Sequence, residues 1–326
     1  MSHSDPIDGR AGRALLRLFL TVLVALVVTL DGAPVATALG AAPPDPAVCP
    51  IADSETATEC QVTTEHTVSA STYAFHKTLH IREGGAILGP SGAEALKLTI
   101  DNASGGAGDL LVETGGSIAT DDVDDPAEGA APLSISTSGD VIMQAGSVIS
   151  ARNLGSDDNA GGGGPITLDV GGDKLIMCGP DPNVDLDPAC STSASAGATI
   201  TTDKNGGDAG DAGAITIDVG DAQGLPPAGA LVMDTGSIVR ANGRNAAGDI
   251  SITAGHHADI AGQVLSQVPT GGTSVATGRE GASISVKTGC GLTVAETGVI
   301  SSRGRGHGAD LVHLESCEVA IDGTVV

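Results

Sequence analysis

Four aspartates carry the sharpest chemical signal in this chain of 326 residues. The phrases ITLDVGGD (166–173) and ITIDVGD (215–221) are near copies. Asp169 and Asp218 hold the same place in each, with Asp173 and Asp221 just beyond. Laid side by side as neighbouring strands, such phrases bring two carboxylates to about 5 Å, where they repel by roughly 3 kcal/mol at an effective dielectric of about 20. Either a cation bridges them or the side chains splay into water. Calcium is the candidate ion, because it accepts several oxygen ligands in loose geometry. A second acidic run, DDVDD at 121–125, reads as a solvated loop.

The elements that must position these residues recur along the chain. Alternating triplets, here strand A, occur as LTI at 98, LSI at 133, ITL at 166, ITI at 215, ISI at 250, ISV at 284 and LVH at 311. Strand B follows as LLV at 110, VIM at 141, LIM at 175, LVM at 231, ADI at 258, LTV at 292 and VAI at 319. The step from A to B is 8 residues for the copies at 133, 250, 284 and 311. Strand C comes next, entered by glycine: GAI at 85, GSI at 116, GSV at 146, GAT at 197, GSI at 236, GQV at 262, GVI at 298 and GTV at 323. Only the stretch from C to the next A varies freely in length.

Three short strands cannot enclose a core within one repeat, but stacked repeats can. The expected fold is all-β: a single-stranded, right-handed parallel β-helix of about seven three-strand coils, roughly 34 Å long at about 4.8 Å per coil. The interior would be a narrow aliphatic column, which suits a chain with no tryptophan, one tyrosine and two phenylalanines. Glycine, 48 residues in all, serves the sharp corners. A β-sandwich is the alternative, and the near-constant A–B–C spacing argues against it.

SGDVIMQAGSVISAR, AGDISITAG and GASISVKTGCGLTVAETGVISSRG resemble the coil repeats of filamentous-haemagglutinin-type bacterial surface proteins over roughly residues 76–326. The resemblance implies a secreted or surface-displayed β-helix, often adhesive. The Asn-Pro-Asn-Gly motif of that family's secretion domain is missing from the sequence.

Register also speaks to the six cysteines. Cys290 and Cys317 each lie two residues before strand B of adjacent coils, within reach of a disulfide. Cys178 and Cys190 bracket GPDPNVDLDPA, an insertion they would staple. Cys49 and Cys60 fall in the segment 39–75, read as linker and cap before the coils. An even cysteine count suits an exported protein. Arg10, Arg13 and Arg17 precede LFLTVLVALVVTL and an Ala36/Ala38 exit, so residues 1–38 read as a signal peptide, with an uncleaved anchor as the alternative. The sequence stops at IDGTVV within a strand C, which implies a fragment, or an end covered by a partner or a second copy.

Formal charge of −25 disfavours nucleic acid and anionic lipid. The expected role is structural or adhesive, toward a surface ligand or glycan, outside the bacterial cytoplasm and without membrane contact once the leader is removed. The alternative is a carbohydrate-active β-helix enzyme. Gly306-His307-Gly308 matches a polygalacturonase tripeptide, but that family's partner motifs are missing, and Tyr73 and Phe75 are the only aromatic rings of the mature chain. The variable loops from C to A, including 151–164, 202–213, 240–248, 266–281 and 302–308, share one edge where binding could sit. GGDAGDAGA (206–214) faintly resembles calcium-binding glycine-aspartate nonapeptides. Arg152, Lys204, Arg240 and Arg303, which follow strand C, read as scattered surface cations. His256 and His257 show no metal spacing, and LVH at 311 would turn His313 inward.

Overall fold

Strands whose side chains alternate between apolar and polar must bury one face, and here each does so against the coil above and the coil below. The computed structural model describes residues 45–69, 71–102, 107–122, 129–155, 161–181, 189–190, 194–204, 210–220, 229–268, 282–304 and 311–326. The chain divides into Met1–Ala41, which holds the expected signal peptide and lies outside the described residues, and Ala42–Val326.

The described strands of the second unit form three sheets of 8, 10 and 9 strands, in which the chain visits A, B and C in turn. Sheet A runs from Thr72–Phe75 through Leu96–Ile100, Leu133–Thr137, Ile166–Val170, Ile215–Val219, Ile250–Ala254 and Ser283–Thr288 to Leu311–Glu315. Sheet B runs from Ser54–Glu55 and Glu59–Val62 to Glu318–Ile321, and sheet C from Glu65–Thr67 to Thr324–Val325. Each strand pairs in parallel with its counterpart one coil away, which is a parallel β-helix solenoid. The exception is Ser54–Glu55, which folds back antiparallel on Glu59–Val62 and covers the first edge of sheet B.

The parallel stack begins before residue 76. Glu59–Val62, Glu65–Thr67 and Thr72–Phe75 already pair in parallel with the coil that follows. Residues 59–75 of the segment expected to be linker and cap therefore form a first coil, and the residues just before them cover its edge. Its polar strands and its aromatic Tyr73 and Phe75 disguise the repeat; Phe75 is fully buried, stacked on Ile100.

The core is a set of ladders. Leu98, Ile135, Leu168, Ile217, Ile252 and Val286 stack on sheet A, Leu79, Leu110, Val141, Leu175 and Leu231 on sheet B, and Ile87, Ile118, Ile149, Ile200 and Val239 on sheet C, all buried. Four registers differ from the sequence alignment, one of them at Gly262, where Val264 faces Val239 rather than Ile238. Leu133 faces Leu96 rather than Leu98. Val312 faces Ile284, so His313 points outward toward Glu315 and not into the core. In strand C, Gly146 aligns with Gly115 rather than Gly116, and Ile149 rather than Val148 faces Ile118. Both glycines have φ near +76°, a conformation that a side chain resists, so the turn fixes which glycine of the phrase leads.

Two disulfides close, Cys49–Cys60 and Cys178–Cys190, with Cα separations of 5.4 and 5.2 Å. The expected third bond is not made. Cys290 and Cys317 sit in register on adjacent coils, but both are exposed free thiols, and the Cys317 thiol donates to the Gly289 carbonyl at 2.9 Å. Register brings the pair together; the rotamer of Cys317 turns its sulfur onto the backbone instead.

Candidate functional site

Sheet A carries the outer face that the aspartates were expected to occupy. Asp169 and Asp218 are paired across adjacent coils, both exposed, within the row Thr99, Ser136, Asp169, Asp218, Thr253, Lys287 and Glu315. The Ser136 hydroxyl donates to Asp169 at 3.3 Å, and Lys287 pairs with Glu315 at 3.1 Å. A shallow groove beside the pair is lined by Ser138, Gly171, Gly220, Thr253 and Gly255. A second outward row, two residues nearer the strand start, reads Ser134, Thr167, Thr216, Ser251 and Ser285. Together the rows make a hydroxyl-rich strip that also carries the Asp169, Asp218 and Glu315 carboxylates and the Lys287 ammonium.

The other two aspartates do not join them. Asp173 lies in the turn from A to B, where its N–H donates to Asp140 at 2.7 Å and its carbonyl accepts from Gly229 and Ala230. Asp221 lies outside the described residues, as do Gly306, His307 and Gly308, residues 206–209 of GGDAGDAGA, and Val123, Asp124 and Asp125 of the DDVDD run.

Several of the described acids do something the sequence reading missed: the carboxylate accepts backbone N–H groups of another segment, in most of these cases the next coil. Asp109 takes Asp140 N–H at 2.8 Å, and Asp140 takes those of Asp173 and Lys174. Asp249 takes Ser283 N–H, and Asp53 takes Thr63 and Thr64. Burial pushes the Asp53 carboxyl up, but the Thr63 and Thr64 donors and His66 overcome this and hold it well below the carboxylate range. At the same end, buried His80 lies 2.9 Å from Glu113 and 3.4 Å from Glu59, with Arg82 at 2.8 Å from Glu113. Desolvation raises Glu113, yet Glu83 N–H, His80 and Arg82 bring it below its ordinary value.

Of the four residues after strand C expected to be scattered surface cations, Arg303 is exposed as expected, whereas Arg152, Lys204 and Arg240 belong to an ordered corner. Asp121, Arg152, Asp203 and Asn242 align in successive coils, and Asp122, Asn153 and Lys204 align one residue further on. Arg152 pairs with Asp121 at 2.6 Å and Arg240 pairs with Asp203. Burial raises the Asp203 carboxyl above its ordinary value, against the opposing pull of Arg240, Asn242 N–H and Thr201. Lys204 is only 2% exposed, and its Nζ donates to Asn153 Oδ1 at 3.0 Å and to Gly155 O at 2.6 Å. Hydroxyls just inside this corner tie it to the strand-A approach: Thr120 donates to Ala131 O, Thr202 to Gly213 O and Ser266 to Gly248 O.

The disulfide-stapled insertion has a packing purpose. Ile142, Ile176 and Val232 line up on the outer face of sheet B, where alternation would put polar residues. Cys178, Cys190, Ala189 and Ala194 pack over them. The uninterrupted triplets VIM, LIM and LVM were the signal for this covered face. Cys178, Cys190 and Asp234 bring metal-type donor atoms together, but the two sulfurs are bonded to each other, so they are spent as ligands.

No protein-family model matches the chain, and no curated protein or solved structure matches it either.

Proposed function

We propose that this chain is an exported structural or adhesive β-helix of the filamentous-haemagglutinin type, acting by surface contact rather than by catalysis. The observation that supports it most is the outer face of sheet A, where Ser134, Thr167, Thr216, Ser251 and Ser285 repeat at the coil spacing, beside Asp169 and Asp218. Hydroxyls and carboxylates at about 4.8 Å intervals along a rigid strip can hydrogen-bond a sugar chain or a polar surface at several points at once, and many weak contacts add through avidity. The two disulfides belong to an oxidising compartment, which agrees with export. Calcium between Asp169 and Asp218 is part of this reading, with the Ser136 and Thr253 hydroxyls as further oxygen donors.

Immobilised glycans and intact bacterial and host cell surfaces, probed with the purified protein with and without calcium, test the proposal. Capture is expected, and it should weaken when Thr167 and Thr216 are both replaced by alanine. Calorimetric titration with calcium should give heat that Asp169→Asn removes. Equal capture by the double variant would move the contact away from sheet A. Unsaturated product accumulating on polyuronates would replace adhesion with lyase chemistry.

A further inference from the structure

The corner after strand C brings three chemically distinct side chains to one position in three consecutive coils. Asp122 is bridged to Asn153, and Asn153 to Lys204. Their exposures are 0, 0 and 2%, so a carboxyl, a carboxamide and a primary amine lie together out of water. We propose that Lys204 and Asn153 become joined by an intramolecular isopeptide bond, with Asp122 carrying the protons.

The geometry supplies the amine, the carboxamide and an oxyanion donor, and register with burial places Asp122 beside Asn153. Lys204 Nζ sits 3.0 Å from Asn153 Oδ1, and the carbon it would attack lies one C=O bond, about 1.2 Å, from that oxygen. A small side-chain rotation carries the amine from the oxygen to the carbon. Gly155 N–H donates to the same Oδ1 at 2.9 Å and stays in place to hold the negative charge that forms there. Asn153 Nδ2, the leaving nitrogen, is oriented by a 2.8 Å bond to Gly161 O. Removing an ammonium from water favours the neutral, nucleophilic amine, and a neighbouring carboxylate can accept its proton.

The step balances without any co-reactant. Nζ gives a proton to Asp122 and attacks Cγ, whose carbonyl electron pair moves onto Oδ1. The carbonyl then re-forms, the Cγ–Nδ2 bond breaks with its electron pair, and a second Nζ proton leaves through Asp122. Both protons reach Nδ2, which departs as ammonium. One ammonium and one carboxamide become one secondary amide and one ammonium ion, with no change of oxidation state. The product would lock adjacent coils across a sequence separation of 51 residues.

Peptide mapping of the full chain after reduction and denaturation tests this. The expected result is a branched peptide joining the Asn153 and Lys204 segments, lighter than their sum by one ammonia, with trypsin failing to cut after Lys204. Lys204→Arg should give only linear peptides, and Asp122→Asn should leave the two segments largely unjoined. Complete tryptic cleavage after Lys204, with full labelling of its amine in the wild-type chain, overturns the proposal without any variant having to fold. A branched peptide formed as fully in Asp122→Asn overturns the role given to Asp122.

Discussion

At the residue scale, several of this chain's acids join one segment to another. Asp53, Asp109, Asp140 and Asp249 each accept N–H groups from a different segment, so their charge is used within the fold. The acids were plain in the sequence, but their partners were not, because the donors to Asp109, Asp140 and Asp249 lie a full coil away, across loops of unequal length. Lys204 shows the same blindness: nothing local distinguishes a buried lysine from a surface one. These clamps carry a pH dependence whose sign can be worked out. Asp53, Glu59 and Glu113 have folded values below the ordinary 3.8 for Asp and 4.5 for Glu, so the folded state binds fewer protons than the unfolded one. Their stabilisation is present above the ordinary carboxylate range and is lost as pH falls through the folded values. Asp203 runs the other way: its raised value favours the folded state at low pH and loses that advantage as pH rises past 3.8. Hydrogen exchange between neutral pH and about pH 3 should therefore show loosening first at residues 53–81, while the Asp203 corner stays protected. Simultaneous loss of protection at both ends would contradict this assignment.

At the element scale, strands were legible because their side chains obey a period of two and their spacing repeats. Register was less so. Strand C slipped by one residue where two candidate glycines adjoin, since only backbone conformation tells which must take positive φ. Sheet B broke the alternation altogether at Ile142, Ile176 and Val232, where an insertion supplies the cover. The ladders predict a strong contrast between the two faces of one strand. Ile217→Ala, removing a fully buried side chain, should cost about 2–5 kcal/mol. Thr216→Ala, one residue away on the outer face, should change stability by no more than about 0.5 kcal/mol. Denaturant unfolding of both variants checks this, and similar losses would mean that the strand does not separate inside from outside. The thiols give a second check. Alkylation of the unreduced, denatured protein should label Cys290 and Cys317 and leave the other four cysteines protected. Protection of all six would restore the bond that register alone suggested.

At the largest scale, the described part of the unit Ala42–Val326 is a stack of coils whose faces differ in kind: a hydroxyl strip on sheet A, a covered apolar row on sheet B, and a charged, partly buried corner after sheet C. The last described strands, Leu311–Glu315, Glu318–Ile321 and Thr324–Val325, each pair on one side, and Leu311, Val319, Ile321 and Val326 are exposed beside them. An edge of this kind pairs readily with a further strand. What the whole picture requires is that residues of equal register on successive coils be neighbours, and engineered cysteines measure this directly. In a background carrying Cys290→Ser and Cys317→Ser, the pair Thr167→Cys and Thr216→Cys should oxidise readily, because adjacent strands stand about 4.8 Å apart, inside disulfide range. The pair Ser134→Cys and Thr216→Cys, two coils apart at about 9.6 Å, should stay reduced. A skipped pair that closes as fast as the adjacent one, or an adjacent pair that never closes, would contradict the stacking on which everything else stands.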